Sequence, residues 1–216
     1  MTHLGELQRI SAGRDGDSGR SSGRRFYDAA NAAWIVKILP GEFYVSDDPD
    51  ELLVTVLGSC VAACIRDPRT GIGGMNHFML PKGDAGSWGD ELQSARYGNF
   101  AMEKLINEML KRGGSRADLE IKVFGGGNVI ESNSAIGSKN AEFVLHFLAN
   151  EGLGCAAQDL GGQFPRRIQY SPATGKVIRR FLGGGDRDSV VSSELEYARS
   201  LRAKPVAGEI QLFGDT

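Results

Sequence analysis

The chain is predicted to fold as one α+β domain, and three features of its sequence carry that expectation. Short runs of β-branched and aromatic residues recur between breaks rich in Pro, Gly and Asp, the pattern of strands joined by turns. Two longer stretches place apolar residues at helical spacing. The 216 residues are 41% apolar and 24% charged, which is the length and composition of a soluble globular protein with one domain or at most two small ones.

Residues 1–26 are rich in Gly, Ser and Arg and lack apolar periodicity, so burial cannot offset the entropy of ordering them. They are expected to form a disordered N-terminal arm. Its Arg9, Arg14, Arg20, Arg24 and Arg25 outnumber Glu6, Asp15 and Asp17, a weak attraction for an acidic surface, although a solvated tail is the preferred reading. The folded part is expected over 27–203, followed by a tail at 204–216. WIVKIL, GEFYVS and ELLVTVL read as the first strands. CVAACI and IGGMNHFML follow, flanking the turn Asp67-Pro68-Arg69-Thr70-Gly71. In SARYGNFAMEKLINEMLKRGG, Gly98, Ala101, Met102, Leu105 and Met109 fall on one helical face, and Lys, Arg and Gly close the segment.

LEIKVFGGG reads as a buried strand entering a glycine loop. SKNAEFVLHFLANEG reads as a helix, with Ser138 as its N-cap and Gly152 as its stop. GCAAQDL, RRIQYS and KVIRRFL continue as strands. Between the last two, Ser171-Pro172-Ala173-Thr174-Gly175 repeats the x-Pro-x-Thr-Gly of the first turn, so each is expected to close a hairpin. The glycine run from Gly183 to Asp188 reads as a flexible link to a short third helix, SSELEYARSLRAK. The terminal GEIQLF reads either as a strand added to a partner's sheet edge or as a last strand of this chain's own sheet.

Lys and Arg number 25 against 27 Asp and Glu, a formal charge of −2, so no broad basic face is forced on the surface and nucleic acid is disfavoured as a partner. No apolar run approaches the roughly 20 residues of a membrane helix. The N-terminal MTHLGELQRI lacks the apolar stretch of a secretory signal. A cytoplasmic protein without membrane insertion is expected. Three cysteines without paired metal-ligand spacing argue against disulfides and structural zinc. The glycine loops match neither G-x-G-x-x-G nor G-K-[ST], and no metal or organic cofactor is called for.

The first turn offers a candidate site. A type I turn with Asp67 first and Pro68 second would set Asp67 opposite Thr70 and therefore Cys60 opposite His77. Directly opposed residues have Cβ atoms about 4.5–5.5 Å apart, close enough for a thiol to meet an imidazole. A one-residue bulge at Gly71, Gly73 or Gly74 would change that register. Elimination points the same way: His3 lies in the arm, His146 sits within the FVLHFL helix, and His77 alone lies near a cysteine in a glycine-rich stretch poor in charge. A thiol attacks carbonyl carbon as the thiolate and needs an imidazole to take its proton. Gly58 and Ser59 bend the chain before Cys60, small neighbours leave room for substrate, and nearby backbone N–H groups are candidate oxyanion donors. Against this, a cysteine in a small apolar strand is more often core filler than nucleophile. Cys64 and Cys155 are both read as filler.

The run LGSCVAACIRDPRTGIGGMNHFMLP resembles the signature of the CheD family, the chemoreceptor glutamine deamidases of bacterial chemotaxis. The similarity continues through KVFGGGNV, IGSKNAEFVLHFLANEG and DLGGQFPRRIQYSPATGKVIRRF, covering about residues 33 to 182. The resemblance implies a three-layer sandwich around a mixed, largely antiparallel β-sheet. It implies hydrolysis of glutamine side-chain amides on the helices of methyl-accepting chemotaxis receptors, giving glutamate plus ammonia. Cys60 matches the family nucleophile and His77 its general base. The family's third residue is a threonine shortly upstream of the cysteine, and Thr55 is the nearest candidate. The implied partners are the receptors and, in some bacteria, a CheC-type phosphatase that mimics the receptor helix. The expected location is cytoplasmic, with recruitment to membrane receptor arrays. The alternative is a non-catalytic adaptor that binds receptors or such a phosphatase. A papain-like protease is disfavoured, because its cysteine and histidine stand well over about 100 residues apart.

Overall fold

A computed structural model describes residues 24–81, 88–129 and 134–203. Among these residues, ten strands make two sheets of five, where a single sheet was expected. The first sheet holds β1 (Arg24–Asp28), β2 (Ala33–Lys37), β4 (Glu51–Leu57), β9 (Arg166–Tyr170) and β10 (Val177–Phe181), in the order β1-β2-β4-β9-β10. The second holds β3 (Phe43–Ser46), β6 (Gly73–Asn76), β5 (Val61–Arg66), β7 (Glu120–Gly125) and β8 (Cys155–Leu160), in the order β3-β6-β5-β7-β8. Each sheet is mixed: β2–β4 and β7–β8 run parallel, and the remaining pairs are antiparallel. The helices are α1 (Trp88–Lys111), α2 (Ser134–Asn150) and α3 (Gly185–Ala203).

Strand alternation sorts the apolar residues into two cores. Val36, Leu53, Leu57, Ile168 and Tyr170 of the first sheet meet Ala62, Cys64, Met75 and Phe124 of the second. From the other face of the second sheet, Ala63, Ile65, Ile121 and Val123 pack on Met102, Leu105, Ile106 and Met109 of α1 and on Val144, Phe147 and Leu148 of α2. The layers are therefore sheet, sheet and helices, an α+β sandwich. Consecutive strands β4 and β5 belong to different sheets, so Gly58-Ser59-Cys60 is the crossover between them. A run of strand-forming residues cannot reveal that change of sheet.

Both x-Pro-x-Thr-Gly segments close hairpins, by the same device. Gly71 N–H donates to Asp67 O at 3.0 Å and Asp67 N–H to Ile72 O at 2.8 Å; Gly175 N–H donates to Ser171 O at 2.8 Å and Ser171 N–H to Lys176 O at 2.9 Å. Each loop thus holds four residues between its closing pair, with the glycine at φ +75° or +70°, a conformation that glycine adopts without strain. The expected tight type I turn, with Asp67 opposite Thr70, is replaced by Asp67 opposite Ile72. β5 and β6 accordingly pair Cys64 with Met75, and Val61 bridges Phe78. The shift is two residues, which keeps Cys60 and His77 on one face but makes them diagonal neighbours rather than directly opposed.

Other boundaries also move. β1 draws Arg24, Arg25 and Phe26 out of the stretch read as an arm; residues 1–23 and 204–216, including GEIQLF, lie outside the described residues. α2 begins at Ser134, so Ser138 is helical and its hydroxyl meets the Asn128 side chain at 3.4 Å. Gly152, at φ +64°, does end that helix, and Leu153 N–H donates back to Leu148 O at 2.8 Å. The link expected from Gly183 to Asp188 is shorter, because Gly185 to Asp188 already form the first turn of α3, where Asp186 and Asp188 face the positive end of the helix dipole.

Candidate active site

Three elements carry Thr55, Cys60 and His77 into the layer between the sheets, where the Thr55 hydroxyl meets the His77 ring. Thr55 lies on the inward face of β4 with Leu53 and Leu57, while Val54 points the other way. His77 follows β6 and is anchored through its backbone, its N–H donating to Glu42 O at 2.9 Å and its carbonyl accepting from Gly41 N–H at 2.7 Å. Cys60 ends the crossover. All three are buried.

The histidine's protonation follows from hydrogen-bond arithmetic. Thr55 Oγ1 lies 2.8 Å from Ile38 O and 2.7 Å from His77 Nδ1. A hydroxyl carries one proton, and a carbonyl can only accept, so that proton goes to Ile38 O. Thr55 Oγ1 must then accept from His77 Nδ1–H, which leaves Nε2 bare. Nε2 is buried and has no hydrogen-bond partner, a costly condition for a ring nitrogen and the protonation that a general base requires. Burial lowers the His77 pKa to about 4, against opposing contributions from the Glu194 charge and the Ile38 carbonyl. The imidazole is neutral at pH 7.

Behind the crossover every carbonyl is tied down. Gly127 N–H donates to Gly58 O and Gly126 N–H to Cys60 O, both at 2.7 Å, and Asn140 Nδ2 donates to Ser59 O at 2.7 Å. The glycine loop can come this close because it lacks side chains: a Cβ on Gly125 would stand 2.1 Å from Cys60 O. With the carbonyls held on one side, the three N–H groups converge on the other. They grip the carboxylate of Glu194, reaching in from α3. Gly58 N–H and Cys60 N–H donate to Oε1 at 2.9 and 3.0 Å, and Ser59 N–H and the Ser59 hydroxyl donate to Oε2 at 2.7 Å each. Burial pushes the Cys60 thiol well above the usual cysteine range, and the adjacent Glu194 charge and hydrogen bond push it further.

The arrangement contains a thiol, an imidazole with a free lone pair, a hydroxyl that orients that imidazole, and an amide cage suited to an oxyanion. Of the other cysteines, Cys64 is buried core as expected. Cys155 is exposed, because β8 lies at the sheet edge, so it is not filler. His146 is exposed on α2. Sequence reasoning missed Glu194 and Asn140; it read the loop of Gly125 to Gly127 as shaping the site's rim or simply turning the chain, and its amides in fact tie down the crossover carbonyls. A carboxylate four residues before Ala198 on the stripe Glu194, Tyr197, Ala198, Leu201 was the available signal for the first.

Fold and site together define an α+β protein with the components of a cysteine-dependent amide hydrolase. Comparison with known proteins narrows the class: residues 79–181 match the model of the family described as CheD chemotactic sensory transduction. The chain is 53% identical over 190 residues to the probable chemoreceptor glutamine deamidase CheD of Rhodopseudomonas palustris (strain BisA53), covering 88% of this chain and 89% of the relative. It is 48% identical to the probable chemoreceptor glutamine deamidase CheD of Hahella chejuensis (strain KCTC 2396), covering 88% and 90%. The chain belongs to the CheD family. Among solved structures, the hypothetical protein YfiH of Bacillus licheniformis overlaps 56% of this chain and 50% of its own at 14% identity and TM-score 0.36, too loose a likeness to bear on function.

Proposed function

We propose that the protein is a chemoreceptor glutamine deamidase, with Cys60 as nucleophile, His77 as general base and Thr55 as the residue that orients His77. One observation above all supports this reading. The amide cage beside the thiol already holds the side-chain carboxylate of a glutamate, and glutamate is the product of glutamine deamidation.

In the reaction, a receptor glutamine places its carboxamide carbonyl oxygen in the cage formed by the N–H groups of Gly58, Ser59 and Cys60. His77 Nε2 takes the Cys60 proton, and the sulfur attacks the carboxamide carbon. The carbonyl π pair moves onto oxygen, where the amides bind it. Collapse of this intermediate breaks the C–N bond while the imidazolium returns its proton to the leaving nitrogen, releasing ammonia and a thioester. His77 then removes a proton from water, whose oxygen attacks the thioester. The C–S bond breaks, the proton returns to sulfur, and glutamate departs. Amide and water are consumed, and acid and ammonia are formed.

No helix among the described residues is long and apolar enough to cross a membrane. The enzyme would meet its receptors from the cytoplasm and be recruited to their arrays through the substrate helices themselves. A CheC-type phosphatase that mimics the receptor helix would compete for the same cage. Peptide mapping of a purified receptor by mass spectrometry, before and after incubation with the protein, tests the assignment. Discrete helix glutamines should become glutamate; a receptor left unchanged would remove the reading.

A further inference from the structure

We propose that α3 is an internal plug, which seats Glu194 in the amide cage as a stand-in for product and must leave before a receptor side chain can enter. The proposal rests on the reading of the cage as the reaction site.

The seat is complete. Glu194 is 3% exposed, and both carboxylate oxygens are satisfied by three backbone N–H groups and one hydroxyl. It makes no ion pair among the described residues, and these donors stabilise its charge. Gly58 makes room for it: a Cβ there would stand 2.6 Å from Oε2 and 2.8 Å from Val129. A helix-borne glutamate differs from a helix-borne glutamine by one oxygen in place of an NH2 group. Nothing that fills the cage in this way can share it with substrate. With the cage so filled, His77 Nε2 is left without a partner.

α3 is also built to detach. Its one buried residue among those described is Glu194, whereas α1 and α2 each contribute several buried apolar residues to a core. Tyr197, Ala198 and Leu201, which share a stripe with Glu194, are only partly buried against the inter-sheet core. Tyr197 OH meets Tyr97 OH at 2.6 Å. The helix therefore docks through a carboxylate, a hydroxyl pair, a narrow apolar stripe and one long hydrogen bond from Arg187 to Val129 O at 3.4 Å. Preceding it, Leu182 N–H makes a last bond to Pro165 O at 2.8 Å. Gly183 and Gly184 then follow, with open space where their side chains would be, and they form a hinge on which the helix that starts at Gly185 can swing.

The test compares alkylation of the full-length protein and Glu194→Ala by iodoacetamide, read cysteine by cysteine through peptide mass spectrometry. In the variant, Cys60 should label at least about tenfold faster than in the parent, because access and thiolate fraction both rise. Buried Cys64 should stay protected in both proteins, and exposed Cys155 should label equally. Equal Cys60 rates would overturn the plug. So would simultaneous exposure of Cys64, since Glu194 would then be holding the fold rather than guarding the site. The same pair of proteins separates the two readings on a purified receptor at low concentration. Faster deamidation by Glu194→Ala supports both; selective Cys60 exposure without receptor conversion by either protein supports the plug and removes the deamidase.

Discussion

Thr55 carries a specific burden: its single hydroxyl proton, committed to Ile38 O, decides which nitrogen of His77 is bare. Thr55→Val removes that constraint with little change of volume and should lower kcat for receptor deamidation by at least about tenfold, while Thr55→Ser keeps the hydroxyl and most of the rate. Equal rates for Val and Ser would mean that the hydroxyl does not set the imidazole. His77 also ties stability to pH. Its folded pKa lies at about 4 against an ordinary 6.5, so within that window the unfolded chain binds a proton that the folded chain refuses. Its contribution is fully present above pH 6.5 and is lost as pH falls toward 4. Urea midpoints at pH 7 and pH 5 should therefore fall further for the parent than for His77→Gln; identical falls would contradict the assignment. Cys60 and His77 were legible because chemistry restricts the choice to few residues. The relay behind His77 was less so, because Thr55 and the Ile38 carbonyl that takes its proton come from the other sheet or its flank.

At the scale of elements, the two hairpin loops show how far local sequence reaches. The repeat x-Pro-x-Thr-Gly announced both hairpins, and its glycine at positive φ gives both the same four-residue loop, but the tertiary contact that braces the first loop lay outside its reach. Asp67 is buried and accepts from Arg69 N–H at 2.8 Å and from Ser115 N–H, beyond α1, at 2.9 Å. Burial opposes its charge, but these N–H groups prevail and hold its carboxyl below the usual range. Asp67→Ala would orphan both donors and should cost about 1–3 kcal/mol in denaturant unfolding; a loss within error would show that the loop holds itself. The third helix illustrates the opposite limit. Its existence was readable from spacing, yet the significance of Glu194 was not, since an acidic residue on a short polar helix is ordinarily solvated. Only the crossover, with its carbonyls tied from behind, turns that carboxylate inward.

At the scale of the whole molecule, the proposed mechanism depends on placing two sheets face to face. One sheet supplies Thr55, the other supplies His77, and the chain's passage between them supplies Cys60 and the cage. Strand runs and the α+β class could be read from periodicity, because each strand buries one face. The division into two sheets could not, since it depends on pairings such as β4 with β9 and β5 with β7, remote in sequence. The family relationship, at 53% identity over 88% of the chain, accounts for why the motif residues were legible at all. The most direct test of the account is ammonia release from a purified methyl-accepting receptor, measured side by side for the parent and Cys60→Ala. The account predicts release stoichiometric with glutamine-to-glutamate conversion for the parent and none above background for the variant. Undiminished release by a folded Cys60→Ala protein would contradict it.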